Sequence, residues 1–159
     1  MSAQLSTARP PATLSPVANS VERTRTETDA LLRTSTIVED SARGIIEKLA
    51  EGNFQSILRI TSKKGTVRAN HYHKRDSHLC YLVRGKIEYV WRDARDEQAP
   101  LQRMVIEPGQ LFYTPPMVAH AMVFLTDSEF YAFSTEARHG QAAYENEVVR
   151  VTLVEPKKA

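Results

Sequence analysis

The chain has 159 residues, 42% of them hydrophobic, which suits one domain with a packed core and a short appendage. Its 21 basic and 19 acidic residues nearly balance, and no apolar run approaches the length of a membrane span, so nothing in the composition indicates binding to nucleic acid or to a membrane. The one cysteine, Cys80, rules out an internal disulfide and is compatible with a reducing cytoplasm, where we expect the protein to be.

Residues 1–33 are predicted to be a flexible tail, and residues 34–155 are predicted to form one domain. The first 30 residues are rich in Ser, Thr, Ala and Pro and show no apolar periodicity. Such a segment cannot bury enough surface to offset the conformational entropy that is lost on ordering.

A short helix is predicted at the start of this domain. Ile45, Ile46 and Leu49 recur on one side of a helix, and Gly52 is a stop signal. Asp40 or the serine after it can cap the N-terminus.

Short segments of alternating apolar and polar residues follow, separated by turns that contain Gly, Pro or charged residues. They are residues 54–60, 66–73, 78–83, 87–91, 101–106, 110–114, 120–125 and 129–134. Eight short strands at this spacing are typical of a β-sandwich or barrel, so an all-β fold is predicted. The apolar stretch within residues 144–153 is predicted to be an edge strand or a strand at a dimer interface.

Four of the five histidines lie in two of these segments. His71 and His73 are two residues apart on one strand and therefore project the same way. His78 follows a polar turn and can fold back beside them, and His120 begins a later strand. A lone histidine is usually an ordinary surface or core residue, but imidazoles that converge would hold a divalent metal. His139 is expected to be a solvated loop residue.

The spacing of these histidines and of the glycines around them resembles the two motifs of the cupin superfamily. The first motif is Gly, five residues, His-x-His, a short gap, an acid, six residues and Gly; the matching residues are Gly65, His71, His73, His78 and Gly85. The second motif is Gly, five residues, Pro-x-Gly, two residues and His; the matching residues are Gly109, Pro115, Met117 and His120. The resemblance covers roughly residues 55–135.

The resemblance implies a cupin-type double-stranded β-helix, or jelly-roll barrel, here with the short helix before it. It implies one divalent transition metal, zinc, iron, nickel or manganese, held by four residues: His71, His73, His78 and His120. His78 stands where the usual ligand is a glutamate. Four neutral imidazoles would leave the charge of the ion uncompensated, so the site should favour an anionic ligand. The residues in step with the ligands are predicted to line a pocket: Cys80, Leu82, Met122 and Phe124.

Three functions are open at this point, each with a small molecule as the partner. The favoured one is an enzyme that uses the metal as a Lewis acid on a small anionic or carbohydrate-like substrate, in isomerase, epimerase or lyase chemistry. The second is an iron-dependent dioxygenase, because all-histidine iron centres occur among cupins. The third is a non-catalytic binding module. The sequence names no general acid or base. A homodimer is expected, since small cupins commonly pair through strand exchange or sheet contact.

Overall fold

The computed structural model describes residues 31–156, which form twelve strands and one helix. The predicted all-β fold is confirmed. Residues 1–30 of the predicted tail lie outside the described residues. The last part of that segment is described, and there Leu31 is buried and the next two residues pair with a strand of the domain. No helix in the described range is long and apolar enough to cross a membrane.

Two antiparallel five-stranded sheets carry the fold. In spatial order, the first sheet contains β1 (Leu32–Arg33), β9 (Leu111–Thr114), β6 (His78–Arg84), β11 (Ser128–Ser134) and β4 (Ser56–Ser62). The second contains β12 (Val148–Arg150), β5 (Val67–His73), β10 (Val118–Phe124), β7 (Ile87–Asp93) and β8 (Gln102–Ile106). The eight predicted strands correspond to β4 through β11, with ends shifted by one or two residues.

The core lies between the two sheets. Its largest fully buried apolar side chains come from both of them: Leu82, Ile87, Tyr89, Ile106, Phe112, Phe124 and Phe130. Alternate residues of each strand point inward, as the period of two in the sequence requires. The first sheet therefore buries Cys80 and Leu82 on the same face as His78, which places this histidine at one end of the interior.

The predicted N-terminal helix is wrong. Thr36–Ser41 and Gly44–Lys48 form an antiparallel hairpin, β2 and β3, which turns at Gly44 with a φ of 124°. A short helix draws its stability from an apolar face that packs on a core, but Ile45 and Ile46 are 61% and 55% exposed. Consecutive β-branched residues also favour extended backbone, because their χ1 freedom is restricted in a helix.

The C-terminal segment is only partly the strand that the sequence predicts. Gln141–Glu147 form a helix, α1, and Val148–Arg150 then form β12, an edge strand that pairs with β5. Alanine, glutamate and glutamine favour helix, which explains why the first half of the segment departs from the prediction.

Candidate active site

Three of the predicted ligands are brought together by strand register in the second sheet. His71 and His73 occupy alternate positions on β5, and His120 on β10 is the cross-strand partner of His71. All three side chains are buried, with exposures of 5%, 0% and 1%. The register of β10 shifts directly after His120, at an irregularity in the ladder. The predicted common face of His71 and His73 is therefore present in the structure.

The nitrogen atoms of these three rings are close enough to share a ligand. One ring nitrogen from each of His71, His73 and His120 lies within 4.8 Å of the others. The Nε2 atoms of His71 and His73 are 3.2 Å apart. Two nitrogens bound to one ion at about 2.1 Å each, with an angle between about 90° and 109°, stand roughly 3.0 to 3.4 Å apart. The spacing thus has the dimensions of a metal site.

Burial keeps these imidazoles neutral. It lowers the pKa of His71 to about 2, with a further contribution from neighbouring His120. Burial likewise lowers the pKa of His73 to about 3, helped by His78. The pKa of His120 falls to about 4 through burial, although the carbonyl of Val118 opposes the shift. A neutral imidazole has the lone pair that a metal requires.

Hydrogen bonds determine which nitrogen carries that lone pair. His120 Nδ1 donates to the carbonyl oxygen of Val118 at 3.0 Å, which leaves Nε2 as the acceptor. His73 Nδ1 is buried and has no hydrogen-bond partner among residues 31–156. The Nε2 atom of His73, 3.2 Å from His71 Nε2, is therefore the nitrogen that the metal geometry involves, and the unpaired Nδ1 lies on the other side of the ring.

His78 lies next to this group but has a different partner. Its Nε2 donates to Asp76 Oδ2 at 2.8 Å, and its ring centroid is 4.4 Å from that of His73. The ligand atoms of His73, Asp76 and His78 form a second close group. The structure therefore divides the predicted four-histidine set into a group of three histidines and a histidine–aspartate pair, with His73 in contact with both.

Asp76 is already saturated with hydrogen bonds. Besides His78, it accepts bonds from the hydroxyls of Ser134 and Thr135 and from the backbone N–H of Glu136. Burial by itself would raise the pKa of Asp76, but these hydrogen bonds outweigh it and hold the pKa well below its usual range. An ionised carboxylate with four donors has little capacity left for a metal, so Asp76 orients His78 instead.

A cavity of about 350 Å³ opens onto these groups. It is lined by His71, His78 and His120, by the apolar side chains of Leu58, Ile60, Cys80, Met122, Phe130 and Ala132, and by Arg59, Arg68, Arg138 and Tyr144. Two of the predicted wall residues, Cys80 and Met122, line it. The other two, Leu82 and Phe124, lie two residues farther along their strands and belong to the core. Burial raises the pKa of the Cys80 thiol, in agreement with its predicted inert role.

Tyr144 is a site residue that the sequence did not single out. It lies on α1, and its hydroxyl is 3.4 Å from His71 Nδ1. Burial raises the pKa of Tyr144, while Arg138 and Arg150 oppose the shift. The sequence pattern did not predict α1, and no other sequence signal connects Tyr144 with the histidines. His139, expected to be solvated, is exposed.

Glu147 fastens the same helix to the turn between β5 and β6. This buried carboxylate accepts the backbone N–H groups of Arg75 at 2.5 Å and Asp76 at 2.7 Å. The backbone N–H of Lys74 donates to the Glu147 carbonyl at 3.0 Å. The turn that carries Asp76 and the helix that carries Tyr144 are therefore joined directly.

Comparison with known proteins gives a family and a set of similar folds. The family described as "Cupin domain" matches residues 58–136. Comparison with curated proteins gives no match. Among solved structures, dTDP-4-dehydrorhamnose 3,5-epimerase from Sulfolobus tokodaii is 19% identical, with a TM-score of 0.56 over 71% of this chain and 72% of that one.

Two other solved structures have the same architecture. The RmlC epimerase of Mycobacterium tuberculosis is 16% identical, with a TM-score of 0.61 over 79% of this chain and 70% of its own. QdtA, a sugar 3,4-ketoisomerase from Thermoanaerobacterium thermosaccharolyticum solved in complex with TDP, is 16% identical, with a TM-score of 0.56 over 76% and 85%. At these identities the similarity shows the fold alone.

Proposed function

We propose that this chain, which belongs to the cupin superfamily, is an isomerase or epimerase that moves a proton on a small carbohydrate-like substrate. The observation that carries the proposal is the position of the His78–Asp76 pair beside the group of three histidines, with His71, His78 and His120 lining one cavity. Proton transfer next to a carbonyl needs a base of suitable pKa and a group that stabilises the negative charge on oxygen. The cavity has candidates for both.

His78 is the proposed base. Since Asp76 accepts the proton on Nε2, the lone pair of the neutral ring is on Nδ1, and the ring lines the cavity. Asp76 fixes the tautomer and stabilises the imidazolium that forms when Nδ1 takes a proton. The Tyr144 hydroxyl, which also lines the cavity, is the proposed second proton carrier.

His71, His73 and His120 are the residues that we propose hold a divalent transition metal. Zinc, iron, nickel and manganese all accept imidazole nitrogen, and the donor set does not choose among them. A bound ion would polarise a substrate carbonyl and so ease removal of the proton on the adjacent carbon. In this arrangement His78 is released from the predicted role of fourth ligand and is available as the base.

The similar structures support the reaction class. They are dTDP-sugar epimerases and a sugar ketoisomerase. We propose the same broad class for this chain, with a small-molecule substrate. The homodimer and the cytoplasmic location remain predictions from the sequence.

The proposal is tested by exchanging His78 for asparagine. The assay follows incorporation of solvent deuterium into a panel of keto sugars and sugar acids by NMR, with His139→Asn as the matched control because His139 is exposed. We expect His78→Asn to slow exchange by about 10²-fold to 10⁴-fold, the usual contribution of a general base. An unchanged exchange rate in this variant would exclude His78 as the base.

A dioxygenase is the second candidate. Three histidine ligands leave coordination positions open for both substrate and oxygen, as in iron oxygenases. Elemental analysis of the untreated protein, followed by oxygen-electrode measurements with diketones, thiols and phenolic acids, distinguishes the two. Iron together with oxygen uptake would favour the dioxygenase, and exchange without oxygen uptake would favour the isomerase or epimerase.

A further inference from the structure

One cation at the cavity has no acidic partner. Arg138 lies between β11 and α1 and lines both the histidine cavity and a smaller cavity of about 130 Å³ beside it. None of the ion pairs within residues 31–156 includes Arg138. The other two arginines of the cavity are engaged: Arg59 pairs with Glu129, and Arg68 donates to the Ser62 hydroxyl and the Thr61 carbonyl.

The ring of Tyr144 holds the Arg138 side chain in place. The guanidinium carbon is 4.0 Å from the centroid of that ring, and the Tyr144 hydroxyl in turn contacts His71. A guanidinium that lies on an aromatic face keeps the N–H groups at its edge free for a ligand. Arg138 is therefore positioned by its stacking contact and its side-chain hydrogen bond with Tyr144, and no carboxylate within residues 31–156 forms an ion pair with it.

The rest of the cavity favours an anion over a cation. Among the described residues that line it there is no Asp or Glu, and burial keeps His71 and His120 neutral. Asp76 stands behind His78 and is satisfied by four donors. The wall formed by Leu58, Ile60, Met122 and Phe130 is apolar. A ligand with one charged end and one hydrocarbon face would match this arrangement.

The cavity is also small. Its volume of about 350 Å³ is near the lower end of the roughly 300 to 1,000 Å³ found for pockets that hold drug-sized ligands. A single sugar ring with a charged substituent is a compact ligand of that kind.

We propose that Arg138 binds the charged oxygen atoms of the substrate, so that the cavity selects a monosaccharide-sized anion, a sugar carboxylate or sugar phosphate, over the neutral sugar. This inference rests on the proposed function, because it names the substrate class of the same cavity. Arginine binds carboxylates and phosphates alike through two parallel N–H···O bonds. An experiment therefore has to distinguish the sugar carboxylate from the sugar phosphate.

The test is calorimetric titration of the full chain with glucuronate, glucose 6-phosphate and glucose. We expect at least one anion to bind at least 10-fold more tightly than glucose, and the tighter of the two anions identifies the charged group. Arg138→Gln should weaken anion binding by about 10-fold to 100-fold, the range for loss of a hydrogen-bonded charge, and leave glucose unchanged. Arg138→Lys should restore only part of the loss, since lysine lacks the planar fork.

Arg150→Gln is the matched control. Arg150 also faces the Tyr144 ring, at 5.9 Å, but it pairs with Glu145 at 2.7 Å and does not line the cavity. We expect Arg150→Gln to bind the three ligands with the same affinities as the unmodified chain. Circular dichroism verifies that Arg138→Gln and Arg150→Gln are folded. Glucose binding as tight as that of both anions, or an anion preference that survives in Arg138→Gln, would overturn the inference. These binding measurements need no turnover, so their failure is distinguishable from failure of the His78 exchange test.

Discussion

The clustered histidines differ in the hydrogen-bond partner of one ring nitrogen, as three of them show. His120 donates to a backbone carbonyl, His78 donates to the Asp76 carboxylate, and His73 Nδ1 has no hydrogen-bond partner within the described range. A carboxylate makes an imidazole more basic and stabilises its protonated form, whereas a carbonyl chiefly fixes the tautomer. These partners, rather than the spacing of the histidines, are the basis for the proposed division of the cluster into metal ligands and a base.

Loss of His73 should remove the metal and leave the fold. It is fully buried, and its ring contacts those of His71 and His78. We expect His73→Ala to reduce bound metal per chain at least about 10-fold, as removal of a ligand or its support commonly does, with an unchanged far-ultraviolet circular dichroism spectrum. Elemental analysis measures the metal, and His139→Ala is the control. Full metal content in His73→Ala would contradict the proposed site, and unfolding would indicate a structural role.

Acid should destabilise the metal-free protein well above the pH at which carboxylates protonate. The folded-state pKa values of His71, His73 and His120, about 2, 3 and 4, lie below the value of 6.5 expected in the unfolded chain. Between those values the unfolded chain binds protons that the folded chain does not, so stability falls as pH decreases below about 6.5. Each such histidine contributes a loss of up to about 1.4 kcal/mol per pH unit.

Thermal unfolding between pH 8 and pH 5 measures this effect. Asp76 does not interfere in that window, because its depressed pKa removes stability only below its ordinary value of 3.8. Added zinc should raise the melting temperature by a similar amount at pH 7.5 and pH 5.5, because the three proposed ligands of the folded chain are neutral at both pH values. A melting temperature that is constant over this range would show that the imidazoles are not held neutral.

The sequence identifies His71, His73, His78 and His120 but not Asp76 or Tyr144. Period-two alternation and the glycine frame are local signals, so they place the histidines on their strands. Asp76 lies in a turn, and its partners Ser134, Thr135 and Glu136 are about sixty residues away. Only the pairing of β6 with β11 brings them together, and nothing local encodes that pairing.

At the scale of elements, two positions of the cupin motifs have left-handed backbone, although only one of them carries glycine. Gly85 ends the first motif with a φ of 98°. Met117 stands where the second motif has glycine, and it still adopts a left-handed φ of 62°. Its backbone N–H donates to the carbonyl of His73 at 2.8 Å, and its carbonyl accepts from Ala94. Tertiary hydrogen bonds therefore hold a conformation that a methionine rarely adopts.

Gly85→Ala should be far more destabilising than Gly65→Ala. Both glycines have left-handed φ angles, so each substitution costs about 1–2 kcal/mol from the backbone. At Gly85 an added Cβ would also lie 2.2 Å from the Ser128 hydroxyl and 2.6 Å from the Ser128 Cα, whereas nothing is within 4 Å at Gly65. We expect the overpacking to add about 1–3 kcal/mol at Gly85. Urea denaturation measures both, and equal losses would contradict the close approach.

The hairpin in place of a helix shows why local patterns mislead when no core contact supports them. Ile45, Ile46 and Leu49 satisfy a helical period, but two adjacent β-branched residues and Gly44 satisfy a hairpin equally well. Strands β4 through β11 were predictable because each buries one face, which fixes its alternation. The hairpin buries neither face well, so burial does not require its apolar and polar residues to alternate.

At the scale of the whole molecule, that hairpin carries four of the exposed large apolar side chains of the described residues. Ile37, Val38, Ile45 and Ile46 are all more than half exposed. Exposed apolar patches of this kind mark interaction sites, and they add support to the homodimer that the sequence predicts.

The homodimer is tested by light scattering after size-exclusion chromatography. We expect twice the chain mass of 17.9 kDa, and the monomer mass for the double variant Ile45→Glu, Ile46→Glu, because two charges cannot be buried at an apolar contact. Val105→Glu is the control, since Val105 is an exposed apolar residue on β8, on a different sheet. A monomeric unmodified chain, or a dimer that persists in the double variant, would contradict this interface.

The bonds from Glu147 to the turn before β6 have a mechanical consequence. Any outward swing of the helix that widens the entrance must either break two short amide contacts to a buried carboxylate or drag the Asp76 loop with it. If the contacts break, Asp76 is still held by its hydrogen bonds with His78, Ser134, Thr135 and Glu136, whereas a helix that keeps the contacts pulls directly on the turn that carries Asp76. Through Glu147, the position of α1 is therefore linked mechanically to the position of the carboxylate that orients His78.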